Sequence, residues 1–231
     1  MKSDDLNLFY LSSLEIKGFK VVFWDFDGVI KDSVGVKSDA FESIFLPFGR
    51  DVAAKVREHH EKNGGVSRYT KIPIYLAWAN QNISSDNIDR YTQKFSSLVV
   101  QSVLESKWVP GIYDYIVSNF QEQDFILVTA TPFEEIVCIL HELEIDHCFK
   151  RVYGSPTHKS DAINQSLLDF GISPKDALMI GDSESDLFAS RQTGVNFLLR
   201  KNQFNYFLHG PCESVIFDDL INEQNTKDSI N

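Results

Sequence analysis

The sequence predicts an α/β protein: a doubly wound, Rossmann-like parallel sheet with a small all-helical cap domain inserted after the first strand. Three observations carry that prediction. The apolar run Val21-Val22-Phe23-Trp24 meets Asp25-Phe26-Asp27-Gly28, the pattern of a buried strand running into a turn. Beyond Pro110, short apolar runs alternate with helical patterns, as strands and helices do around a parallel sheet. Between Ile30 and Pro110, about eighty residues carry helical patterns and no convincing strand, too long a stretch for a loop in a compact domain.

Taken in order, the first strand ends at Asp25 and Asp27, which stand two residues apart and so project the same way from its C-terminal end. Four helices follow, over Ser38–Phe48, Asp51–Asn63, Lys71–Asn80 and Ser85–Ser106, with linkers near Lys31–Lys37 and Lys107–Gly111. The core then comprises residues 1–32 and 108–231, and the cap residues 33–107. A helical insertion over the ligand end of a sheet can open and close as a lid. Further strands are expected at Phe125–Thr129, Arg151–Tyr153, Ala177–Ile180 and Asn196–Leu199, with a sixth at Val215–Phe217. Thr131-Pro132-Phe133-Glu134 reads as a helix start, with Thr131 as N-cap, and that helix runs to about Leu143. Two more helices run from about Ser160 to Phe170, stopped by Gly171, and from about Asp186 to Gln192, stopped by Gly194.

Composition narrows the partners. A length of 231 residues with 43% hydrophobic content can bury a sizeable core, as an ordinary soluble globular protein does. A formal charge of −11 argues against nucleic acid, which needs a basic face. No stretch approaches the length of a membrane helix. Met1 to Ser13 carries Asp4 and Asp5 where a signal peptide carries basic residues, and reads as a short extension. The tail after Leu220 is polar and expected to fray. Cys138, Cys148 and Cys212 fit neither a disulfide framework nor a zinc site, so a reducing cytoplasm is the simplest home. A monomer or dimer acting on a small molecule is the expectation.

Each later strand ends in a polar residue suited to one crevice, because ligands bind at the carboxyl ends of strands in an open α/β sheet. Thr129 follows the second strand, Lys159 follows the third, and Gly181-Asp182 with Asp186 follows the fourth. Carboxylates, a hydroxyl and an ammonium together suit a hard cation bound through oxygens beside an anion. Phosphoryl transfer through a carboxylate nucleophile uses that whole inventory. Taken singly each residue has a plainer reading: Thr129 as a strand end, Lys159 as a solvated lysine, Asp186 as a first-turn acid. Their order after successive strands is what makes them specific.

Those residues give the chain its resemblance. It is similar to the haloacid dehalogenase superfamily of phosphatases and phosphotransferases, whose four motifs match Asp25-Phe26-Asp27-Gly28-Val29, Thr129, Lys159, and Gly181-Asp182 with Asp186. The likeness runs from Lys20 to about Leu199, with the helical insertion where that family carries a cap. It implies that Asp25 is the nucleophile and that Asp27 acts as general acid and then base, its proton favoured by neighbouring carboxylates. It implies a phosphoryl contact from Thr129, substrate contacts at Gly28 and Ala130, and positive charge from Lys159. Mg²⁺ would be held by Asp25, the backbone carbonyl of Asp27, Asp182 and Asp186, the last directly or through water. The second aspartate, Asp27, argues for phosphoryl transfer over dehalogenation.

Within that superfamily the chain resembles phosphoglycolate phosphatases and β-phosphoglucomutases. Gly64-Gly65-Val66-Ser67-Arg68 is similar to a mutase loop whose arginine holds the non-reacting phosphate, which implies a substrate-binding role for Arg68. Lys37 departs from the mutases, which carry a histidine there, so a phosphatase of a small phosphorylated metabolite, a sugar phosphate or a phosphoglycolate-like compound, is the leading reading. A sugar phosphomutase and a non-catalytic binding module stay open. His59 and His60 face different directions on a helix and read as a solvated pair.

Overall fold

The computed structural model of the protein describes residues 16–209, 215–217, 219 and 220. Met1–Ser13, Cys212 and the tail beyond Leu220 lie outside the described residues. Six strands are ordered along the chain: β1 Val21–Trp24, β2 Asp124–Pro132, β3 Arg151–Ser155, β4 Ala177–Gly181, β5 Asn196–Arg200 and β6 Val215–Phe217. They form one sheet in the order β3-β2-β1-β4-β5-β6, with every pairing parallel. β1 is apolar throughout because both of its faces are covered. Val22 and Trp24 pack into one apolar cluster with Phe125, Leu127 and Ile180, and Val21 and Phe23 into another with Ile126, Val128 and Met179. The strand order reverses beside β1, which opens a crevice at the carboxyl ends of β1, β2 and β4.

The cap consists of α1 Val34–Phe45, α2 Arg50–Lys62, α3 Arg68–Trp78 and α4 Ser85–Glu105, all between β1 and β2. Its centre is aromatic. Phe41 stacks on Phe95 with ring centroids 3.9 Å apart, Phe45 stacks on Tyr91 at 5.4 Å, and Tyr75 stands edge-on to Phe41 at 5.3 Å. Two crossings join cap to core side by side: Asp32 N donates to Lys107 O at 2.8 Å, and Val109 N to Ile30 O at 3.0 Å. The remaining helices are α5 Ile112–Asn119, α6 Phe133–Glu142, α7 Lys159–Phe170 and α8 Glu184–Thr193.

Several boundaries differ from those read in the sequence. α1 starts at Val34 and ends at Phe45, with a 3-10 turn over Leu46–Phe48, where Pro47 cannot continue the α-helical bonding. α3 starts at Arg68, after Ser67, whose hydroxyl accepts from Tyr69 N. α5 was not expected; eight residues are too few to establish a helical period. β2 continues to Pro132, so Thr131 is a strand residue and not an N-cap, and α6 has no side-chain cap.

Candidate active site

Asp25 directly follows β1 and is 3% exposed. Asp182 follows β4, and Asp186 lies in the first turn of α8. One oxygen from each of these three carboxyls lies within 4.8 Å of the others. Lys159, the first residue of α7, places Nζ 3.0 Å from Asp25 Oδ2 and 2.5 Å from Asp186 Oδ1. Burial works against the charge on Lys159, but Asp186 and Asp25 outweigh it and hold the ammonium above the usual lysine range. Burial, with the charge of Asp186, pushes the Asp25 carboxyl up to about 7. Burial and the charge of Asp25 raise Asp182 well above the carboxylate range. Gly28 is required beside this group. Its φ is +79°, and a Cβ there would lie 2.0 Å from Asp182 Oδ2.

Asp186 is fully buried, and both its oxygens are engaged. Oδ1 takes Lys159, while Oδ2 accepts from Ser183 N at 3.1 Å and Ser183 Oγ at 2.5 Å, which closes a capping box on α8. In this arrangement Asp186 fixes Lys159.

Asp27 lines the same cavity as Asp25 and is held from three segments. Ser33 Oγ donates to Oδ1 at 2.6 Å, Lys37 Nζ to Oδ2 at 2.5 Å, and Thr131 Oγ1 to Oδ2 at 3.0 Å. Lys37 also donates to Thr131 Oγ1 at 2.9 Å. Burial alone would raise the Asp27 carboxyl; the Lys37 charge and these hydrogen bonds outweigh it and hold the group below its ordinary range. This corrects the expectation that neighbouring carboxylates keep Asp27 protonated. Lys37, reaching in from the cap, is nearer in effect than they are.

Thr129 and Ala130 line the cavity in front of Asp25, with Asp27, Lys37 and His60. Arg68 also reaches the cleft, but its guanidinium is taken. It pairs with Glu135 of α6 through two bonds of 2.6 and 2.8 Å, donates to Ser96 Oγ at 2.6 Å and stacks over Phe95 at 4.5 Å. The arginine expected to wait for a second anion is instead 4% exposed and joins cap to core. A second contact does the same: Ser185 Oγ donates to Gly65 O at 3.0 Å. The expectation of a solvated His59–His60 pair also needs correction, because His60 is 2% exposed and bonded to Lys71.

Comparison with known proteins gives the family. The model of haloacid dehalogenase-like hydrolases matches residues 22–199. The chain belongs to that family. This hydrolase is 26% identical over 189 residues to phosphoglycolate phosphatase 1 of Pseudomonas aeruginosa, across 76% of the chain and 67% of that protein. Among solved structures it resembles a predicted phosphoglycolate phosphatase of Haemophilus somnus, with a TM-score of 0.67, 21% identity and 88% and 95% of the two chains covered. It also resembles β-phosphoglucomutase of Clostridium difficile, with a TM-score of 0.70, 16% identity and 91% and 96% covered.

The core wall of the hydrolase fits a divalent metal. Three buried carboxylates face a single ammonium, and oxygen donors of this kind suit a hard cation. Of the four residues expected to hold it, Asp25 and Asp182 each keep an oxygen outside the Lys159 and capping bonds. Several side chains of the site were not foreseen: Ser33, His60, Lys71, Thr131 and Glu135. Lys71 and His60 occupy the buried stripes of their helices, with Ile72 and Tyr75 on α3 and with Ala53 and Val56 on α2. A charged residue in an apolar stripe was the signal available.

Proposed function

We propose that this hydrolase cleaves a small phosphomonoester through an aspartyl-phosphate on Asp25, with Mg²⁺ beside Asp25, Asp182 and the Asp27 carbonyl. The observation that carries the reading is Lys159 between Asp25 and Asp186, with Asp27, held by Lys37, lining the same cavity as Asp25. When bound, the cation offsets the repulsion between carboxylate and phosphate and spreads the charge of the transferring group.

An Asp25 oxygen attacks phosphorus, and the bond from phosphorus to the ester oxygen breaks. The departing oxygen takes a proton from the Asp27–Lys37 pair, where Nζ and Oδ2 are 2.5 Å apart. Asp27 then accepts a proton from the water that hydrolyses the aspartyl-phosphate, which restores the pair. Lys159 and the Thr129 hydroxyl hold the phosphoryl oxygens, with the backbone at Gly28 and Ala130 beside them. Arg68 acts as a bond between cap and core, since Glu135 occupies its fork.

2-Phosphoglycolate, the substrate named for the relatives, is the first compound to try, and the exchange of a mutase histidine for Lys37 favours hydrolysis over isomerisation. The test is phosphate release from small phosphomonoesters with Mg²⁺ or chelator. Asp25→Asn should lower the rate by at least about 10³-fold, and chelation should do likewise. Undiminished release by Asp25→Asn would sink the reading.

A further inference from the structure

Two buried groups lining the cleft have no part in the phosphoryl transfer proposed above. His60 Nδ1 lies 2.9 Å from Lys71 Nζ, which also donates to Asn63 O at 3.1 Å. The other ring nitrogen of His60, Nε2, is buried and has no hydrogen-bond partner. Buried polar atoms are nearly always paired, so this one asks for an explanation. His60 lines the same cavity as Asp25, Asp27, Lys37 and Thr129. It also lines the adjoining hollow with Lys71 and Arg68.

Charge points to the missing partner. Around the dyad, Lys37 comes from α1 and is paired with Asp27, and Arg68 comes from α3 and is paired with Glu135. His59 neighbours it on α2, and the Phe41 ring lies 5.6 Å from Lys71 Nζ. Lys71 alone among these cations has no carboxylate within ion-pair distance among the described residues. Burial, with Lys37 and Arg68 nearby, pushes it well below the lysine range, and an anion in the cavity would oppose that push.

We propose that His60 is a substrate-binding residue, positioned by Lys71, and that its Nε2 donates to an anionic oxygen, carboxylate or second phosphate, on the leaving-group half of the substrate. A bound anion favours the charged form of Lys71, and an ammonium has no lone pair, so Nδ1 then accepts and the ring proton sits on Nε2. This inference rests on the proposed phosphomonoester reading and adds the residues that select the ester.

The test uses Asp25→Asn protein labelled with ¹⁵N-histidine, Mg²⁺, and three esters: 2-phosphoglycolate, ethylene glycol bisphosphate and the uncharged-tailed 2-hydroxyethyl phosphate. His60 is assigned by the resonances missing in His60→Gln. One or both anionic-tailed esters should shift the His60 Nε2 resonance and bind at least ~10-fold more weakly to His60→Gln and Lys71→Met, while 2-hydroxyethyl phosphate changes less than about twofold. Comparing the two anionic esters identifies carboxylate or phosphate as the preferred group. Unmoved His60 resonances, equal weakening of all three esters, or no binding at all would overturn the proposal. His60-dependent binding without turnover by the wild-type protein would instead remove the phosphatase reading and leave this one standing.

Discussion

On the sheet side of the cleft, three carboxylates, Asp25, Asp182 and Asp186, face one ammonium, Lys159. On the cap side Asp27 offsets Lys37 and Glu135 offsets Arg68, while Lys71 has no carboxylate partner among the described residues. The walls therefore carry opposite imbalances of formal charge, and burial pushes Asp25, Asp182 and Lys71 toward their neutral forms. A cation at the sheet and an anion at the cap would relieve both, and a metal-bound phosphoester with an anionic tail supplies the pair. On the proposed reading the difference separates two tasks: the sheet wall would hold what reacts, and the cap wall would read what is attached to it.

The sharpest way to break the comparison is to unbalance a pair that is now balanced. Glu135→Gln leaves the Arg68 guanidinium buried without its carboxylate and should cost about 3 kcal/mol in chemical denaturation. A loss below about 0.5 kcal/mol would mean that the cap wall tolerates unpaired charge generally, and Lys71 would then signify little.

Lys37→Met tests the other balanced pair through rate. With Lys37 gone, Asp27 keeps its hydrogen bonds from Ser33 and Thr131 but loses the cation that holds it charged. Steady-state kinetics should give a kcat lower by about 10–10²-fold with KM little changed. A change confined to KM would move Lys37 from the proton pair to substrate binding.

The smallest effects come from the unbalanced group itself. Lys71→Met removes a buried amine that has no carboxylate partner among the described residues, at similar volume, and should raise stability by about 1 kcal/mol, roughly 2–4 °C in Tm. His60 gives a pH signature. Burial, then the Lys71 charge, hold it well below its ordinary value of 6.5. Below that pH the unfolded chain binds a proton that the folded protein refuses, so stability is lost as pH falls. Thermal melts from pH 7 to 5 should slope less steeply for His60→Gln, by at most about 1.4 kcal/mol per pH unit. Parallel slopes would show that His60 charges freely in the folded protein.

How much of this was legible in the sequence depended on whether local pattern or tertiary docking decided it. β1 and β4 are buried on both faces, so each reads as an unbroken apolar run, and the acids at their ends stand out. Asp25, Asp27 and Asp182 were readable for that reason. Lys71 and His60 belong to helices whose burial is fixed by distant partners, Phe41 and Phe95 among them, and their residue types suggest surface. Thr131 had the local signature of an N-cap, but its hydroxyl is drawn to Asp27, 104 positions away. Arg68 was found as a residue of interest from its loop, yet nothing local announced Glu135 as its partner. The role of Asp186 was half-visible: the acid could be located, but its bond to Lys159 depends on the start of another helix.

Ser33, Lys37 and Thr131 reach Asp27 from the segment after β1, from the first cap helix and from the end of β2. Lys37 and Thr131 also touch each other. Inheritance therefore cannot treat the cap as an exchangeable part. A lineage that acquired a different cap would separate Asp27 from its neighbouring cation and leave a hydroxyl at 131 shaped for a partner no longer there. Positions 37 and 131 are physically coupled through Asp27, although one lies in the insertion and the other in the sheet that received it.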